Sequence, residues 1–307
     1  MSAKMFPAAS KRLTARNFRL RKLTPYLLLI PAYTFLTVIL IYPGIYNLWL
    51  SLWKFRYTNL DESRFAGLDN YQRLLFEDPQ FWQVFQFTML FVVATIGLEF
   101  VFGLGSALLL NKITVLRSLF TSISIIPYQV APIAAGLIWR LLWANDFGLI
   151  NYGIEQAGME PVVWLGLAEP ATVAAIITEV WRSMPFVTII LLAGLTSIPT
   201  DILEAAEVDG ATSWQRFWRL ILPLLLPSIA VALMFETIFK LRVFDLIYNL
   251  TGGGPGIATM PLGILIYRTY FRYFDGGYSA TISVVLLILG VILSVLYIKV
   301  VYRETEF

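Results

Sequence analysis

Neither cysteine nor histidine occurs anywhere in the 307 residues, and only 14% of them carry charge. The missing cysteines exclude thiol catalysis and disulfides, and the two absences together remove most zinc sites. Without histidine the commonest general base is gone as well. Charge is scarce where a soluble domain has about a quarter of its residues charged, while 58% of the chain is hydrophobic. The chain is therefore an integral membrane protein, and enzymatic readings lose most of their chemistry. Its formal net charge of +3 is too small to imply acidic partners by itself. Internal repeats with a period of about 20–50 residues, low-complexity tracts and a soluble domain are also absent from the pattern.

What charge there is has been placed unevenly. Residues 1–24 hold Lys4, Lys11, Arg12, Arg16, Arg19, Arg21 and Lys22 and no acid, which predicts a cytoplasmic basic tail. Topology signalling accounts for this tail more simply than contact with nucleic acid or a lipid surface. The apolar run from Tyr26 to Leu52 exceeds the roughly 7–15 residues of a cleaved signal peptide, so it reads as a first span.

Segments long enough to cross, at about 20 residues each, fall near 26–50, 84–110, 118–143, 170–196, 222–248 and 278–301. Six spans put both termini in the cytoplasm, with 53–82, 144–169 and 249–277 outside and 111–117 and 197–221 inside. Residues 25–307 then form a single transmembrane domain. Backbone polar groups in hydrocarbon must be paired within their own segment, and the spans lack the alternation of a barrel. The expected fold class is all-α, with kinks at Pro43, Pro127, Pro132, Pro185 and Pro227.

The loop 197–222 is unusual for carrying Asp201, Glu204, Glu207 and Asp209. Thr200 is a good N-cap, acids favour a helix start, and Gly210 is a good stop. These signals predict a helix of about nine residues whose Ala205 and Ala206 let another backbone approach closely. A second helix from Ser213 places Trp214, Phe217, Trp218 and Ile221 on one face, with Arg216 and Arg219 opposite, and is expected to lie on the membrane surface.

Ionisable residues deep in spans face a bundle interior or a water-filled cavity. Glu179, Arg182, Ser183 and Phe186 share one helical face, and Glu236, Lys240 and Val243 share another. Glu99 is the fifth intramembrane charge. Two readings stand at this point: a solute pathway, or the intrahelical pairs Glu179 with Arg182 and Glu236 with Lys240 neutralising each other.

Motifs for nucleotide chemistry fail on inspection. The run Gly252-Gly-Gly-Pro-Gly256 lacks the Lys-Ser/Thr of a phosphate loop, and Gly103-x-Gly105 lacks a third glycine at the dinucleotide spacing.

Glu204-Ala205-Ala206, three residues, Gly210, nine residues and Leu220-x-Leu222-Pro223 together resemble the EAA motif of permease subunits in binding-protein-dependent ABC importers. Leu stands there where Ile is usual. Phe65-Ala-Gly-Leu-Asp-Asn-Tyr71 with Asp78-Pro79-x-Phe81-Trp82, then Asp146-Phe-Gly-Leu-Ile-Asn-Tyr152, then Phe244-Asp245 with Leu250-Thr-Gly-Gly-Gly-Pro255, are similar to stretches of the maltose and glycerol-phosphate permease type.

The resemblance runs from about residue 25 to the end and implies the type I importer permease fold, with residues 201–209 as a coupling helix. Glu204, Ala205, Ala206, Asp209 and Gly210 would meet the ATPase. It implies a second homologous permease, two ATPase subunits that bind ATP and magnesium, and an extracytoplasmic solute-binding protein. It also implies a home in a bacterial or archaeal inner membrane, with no cofactor, catalytic residue or nucleic acid belonging to this chain.

The stretches Trp181–Phe186 and Glu236–Phe244 match those lining the sugar site in that family, so Glu179, Arg182, Ser183, Phe186, Glu236, Lys240, Val243 and Phe244 are the expected pathway. The charges of Arg182, Glu236 and Lys240 depart from a site for a neutral sugar and leave a charged derivative open. An ion-coupled secondary transporter, a membrane-embedded enzyme and a scaffold subunit are the competing classes. The first commonly shows more spans and an internal repeat.

Overall fold

The computed structural model describes residues 26–304 other than 114, so the basic tail lies outside the described residues. Five helices among them are long and apolar enough to cross a membrane: α1 (Tyr26–Leu50), α2 (Pro79–Lys112), α6 (Ala168–Ser197), α8 (Ser213–Leu241) and α11 (Gly276–Glu304). The sixth expected span is a broken pair, α3 (Arg117–Gln129) and α4 (Pro132–Leu142), bent by 88°. Shorter helices α5 (Leu149–Gln156), α7 (Thr200–Val208), α9 (Asp245–Leu250) and α10 (Leu262–Phe271) fill the connections.

Among the described residues the architecture is helical apart from one antiparallel hairpin, β1 (Trp53–Arg56) and β2 (Asn59–Phe65), between the first two spans. Asn70 fixes the base of that hairpin, donating from Nδ2 to the carbonyls of Ser51 and Trp53 at 3.0 and 2.9 Å.

Lipid tails are as apolar as leucine, so helices associate here through close packing rather than a hydrophobic drive. α2 and α6 form the most extensive pair, and small residues (Gly103, Ala107, Ala171, Ala174, Ala175) are buried between the helices. Gly136 of α4 is another such residue: a Cβ there would stand 2.6 Å from the Leu246 carbonyl oxygen, so α4 lies directly against α9.

One buried cluster joins Phe81, Val84, Phe87 and Phe91 of α2 to Leu246, Ile247, Leu262 and Leu265. Another joins the far ends of α2, α6 and α8 through Ala107, Leu191, Leu195 and Leu225. α1 has no fully buried residue within its apolar window.

Local chemistry explains the boundaries. Asp78 caps α2, accepting from the amides of Gln80 and Phe81 at 2.9 and 3.2 Å, with Pro79 at the first helical position. Asn151 is buried and fully engaged: it donates to the carbonyls of Asn145 and Val162 and accepts from the Val162 amide and Trp164 Nε1. It thereby ties the connection between α4 and α6 into one unit.

Pro127, Pro185 and Pro227 sit inside helices that continue past them, and the break before Pro132 turns the backbone by 88°. Two expectations need correcting. The segment from Ser213 is not a separate surface helix: a capping box between Thr212 and Gln215 starts α8, and a π-helical turn at Phe217–Ile221 carries it into the span. α8 also ends at Leu241, not at 248, because the chain unwinds at Arg242–Phe244 before α9.

Candidate functional site

Two helix breaks come together beside α6. On one side α3 ends and α4 begins around Pro132; on the other α8 gives way to α9. Irregular backbone at membrane depth is tolerated where it is enclosed by protein or lines a water-filled cavity, and between these breaks lies a cavity of about 450 Å3. That volume is in the range of small-molecule sites, about 300–1,000 Å3. Its wall consists of Tyr128 and Pro132 from the first break, Glu179, Arg182 and Ser183 from α6, and Phe239 with Arg242–Leu246 from the second.

Both signs of charge reach this space. Arg182 Nη2 donates to Glu179 Oε1 at 2.7 Å and to Ser183 Oγ at 2.7 Å, and Ser183 Oγ donates to Glu179 Oε1 at 2.8 Å. Arg242 and Asp245 are exposed and have no ion-pair partner among the described residues. Aromatic rings surround the cavity: Tyr128 stacks on Phe186 at 5.4 Å, Phe239 is 6.0 Å from Phe186, and Phe244 stacks on Tyr248 at 5.0 Å. Guanidinium donors, carboxylate acceptors, a hydroxyl and flat rings together suit a polyhydroxylated solute.

Of the pathway residues expected from sequence, Glu179, Arg182, Ser183, Val243 and Phe244 meet at this cavity. Phe186 stands behind it, backing Tyr128. Glu236 and Lys240 are placed differently: each is 1% exposed and enclosed away from the cavity. Lys240 donates to Glu179 Oε1 at 2.6 Å and contacts Glu236 Oε2 at 2.8 Å and Glu99 Oε1 at 3.0 Å. The intrahelical pairs expected from spacing exist, and they are joined across helices.

Tyr128, Arg242 and Asp245 were missed by sequence reasoning. Arg242 and Asp245 border the stretch already singled out, and the available signal was the break in the apolar run there.

α7 lies between the fourth and fifth spans and has no buried residue. Thr200 is its first helical residue, not its cap, with Pro199 preceding it. At the other end Gly210 adopts φ +80°, a left-handed conformation that glycine takes without a Cβ penalty. The Ala211 amide donates to Ala206 O and the Gly210 amide to Glu207 O at 2.9 and 3.0 Å, completing a Schellman stop. Arg216 of α8 clamps Glu207 at 2.5 Å. Glu204 is exposed and has no cation partner among the described residues.

A bundle with a solute-sized cavity at paired helix breaks and a projecting loop helix defines a membrane permease. Residues 99–303 match the family model described as "Binding-protein-dependent transport system inner membrane component". The chain is 39% identical over 275 residues to the trehalose/maltose transport system permease protein MalF of Thermococcus litoralis, covering 90% of this chain and 92% of that one. It is 34% identical over 280 residues to the sulfoquinovosyl glycerol transport system permease protein SmoG of Agrobacterium fabrum, covering 91% of each.

In fold it is similar to a bacterial ABC transporter involved in the import of the acidic polysaccharide alginate. That likeness has a TM-score of 0.80 at 22% identity, over 96% of this chain and 100% of that one. The chain belongs to the family of inner membrane components of binding-protein-dependent transport systems.

Proposed function

We propose that this chain is the membrane-spanning subunit of an ATP-driven importer that conducts a sugar or sugar derivative delivered by an extracytoplasmic binding protein. The sugar permeases among its relatives support that cargo. The cavity beside Arg182, Arg242, Tyr128 and Phe244 is the passage site, and loop 197–222 couples it to ATPase subunits on the cytoplasmic side. Both termini lie in the cytoplasm, and a second homologous permease completes the pathway.

ATP and magnesium are held by the two ATPase subunits, so this chain contributes no catalytic residue and needs no cofactor of its own. The observation that carries this reading is α7, an acidic helix without a buried residue, with a capped end and a Glu204 that has no ion-pair partner among the described residues. A helix of that kind is built to be seated by another protein.

The test is reconstitution of the complex with its binding protein, followed by a screen of neutral and acidic sugars for stimulation of ATP hydrolysis. The expected result is stimulation by a narrow set of sugars, and only when the binding protein is present. Uptake by this chain alone, driven by an ion gradient, would contradict the reading.

A further inference from the structure

The buried Lys240 is too enclosed to touch a passing solute, yet its contacts reach three spans. Its ammonium draws together Glu99 of α2, Glu179 of α6 and Glu236 of α8 within 2.6–3.0 Å. Glu179 is the shared member. The same Oε1 that accepts from Lys240 also accepts from Arg182 and Ser183, both of which line the cavity. Shifting the ammonium therefore shifts the cavity wall on α6. The opposite wall, Arg242–Leu246, begins only two residues after Lys240 on the same chain.

The other end of this arrangement lies at the loop. α8 is one helix from Ser213 to Leu241, and at about 1.5 Å per residue its 29 residues extend about 43 Å. Its first turn is tied to α7 by the Glu207–Arg216 ion pair. One continuous helix thus has the projecting helix at one end and the Lys240 cluster at the other.

We infer that Lys240 is a positioning residue for transport: it locks the α6 wall of the cavity to α8, whose own chain continues into the opposite wall, so that displacement of the 197–222 loop rearranges Arg182 and Arg242 together. This rests on the import reading and adds where the coupling is received. Residues that merely lie between two sites do not establish coupling, so the test must read coupling itself.

In the reconstituted complex, ATP hydrolysis and sugar uptake are measured against the concentration of loaded binding protein for wild type, Lys240→Arg, Lys240→Met, and a compensated variant. The compensated variant combines Lys240→Met with Glu99→Leu and Glu236→Leu, leaving the Glu179–Arg182 pair intact and no new lone charge. Copurification of the ATPase subunits verifies assembly.

The expected result is that the compensated variant assembles with an unchanged half-saturating concentration of binding protein, while uptake per ATP falls about tenfold. Lys240→Arg recovers part of that ratio. A compensated variant with the wild-type uptake per ATP overturns the inference and leaves the import reading standing. Wild-type hydrolysis indifferent to the binding protein overturns both.

Discussion

Glu204→Lys should reduce binding-protein-stimulated ATP hydrolysis to the unstimulated rate and separate the ATPase subunits from the permease during purification. Glu204, like Asp201, is an exposed acid of α7 with no ion-pair partner among the described residues, whereas its neighbour Glu207 is held by Arg216. If Glu204 enters a cleft and meets a cation there, loss of one partner of the buried pair costs about 3–5 kcal/mol. At about 1.4 kcal/mol per decade that is a weakening of association by roughly one hundred to a few thousand fold. Reversal of charge adds repulsion to the loss. The bundle should be unaffected, because α7 buries no side chain. Copurification at wild-type yield, with intact stimulation, would remove the docking role from this residue.

Lys240→Met should be the most damaging single substitution for the stability of the permease itself. It leaves Glu99, Glu179 and Glu236, each at most 2% exposed, with Arg182 on Glu179 as the one remaining ion pair of the cluster among the described residues. Removing one member of a buried ionic group destabilises by about 3–5 kcal/mol, because the remaining charges stay desolvated and unpaired. Replacing a whole buried ionic group by apolar side chains of similar volume is often neutral or stabilising. The thermal midpoint of the detergent-solubilised chain should therefore fall for Lys240→Met and return most of the way when Glu99→Leu and Glu236→Leu are added. Equal midpoints for single and compensated variants would mean that the cluster carries no net strain of charge.

The spans were legible because crossing hydrocarbon demands length and apolarity, both of which are local properties of the sequence. α7 was legible for a similar reason: the run of acids and Gly210 specify its extent within one loop. The breaks were less so. Pro127, Pro132, Pro185 and Pro227 look alike in sequence, and neighbouring helices decide which freed carbonyls are satisfied within a continuous helix. Pro132, at the start of α4, accompanies the break of 88°.

The amphipathic segment from Ser213 has the pattern of a surface helix, and its Trp214 and Trp218 do remain exposed. The capping box fixes its start, but the π-helical turn that fuses it with the span has no local signature.

Spacing alone suggested the i,i+3 and i,i+4 charge pairs of Glu179 with Arg182 and Glu236 with Lys240. It could not show that Lys240 also reaches Glu99 and Glu179, since helix-to-helix register is a tertiary property. That is why Glu236 and Lys240 were expected in the pathway, although the structure buries both behind the wall of the cavity. Arg242 and Asp245 reach the cavity only because α8 ends earlier than hydropathy suggests.

The central claim is that α7 delivers the work of an ATPase to the cavity, and the absence of cysteine from the chain permits a direct measurement. Ala205→Cys introduces the chain's single thiol on the exposed surface of α7, and Phe147→Cys introduces one at an exposed site between the third and fourth spans. Each carries a thiol-anchored photo-crosslinker in the reconstituted complex. The account predicts a cross-link from residue 205 to an ATPase subunit, with a yield that changes when ATP is added, and none from residue 147. ATP-driven sugar uptake by a complex in which residue 205 cross-links to no ATPase subunit would contradict it.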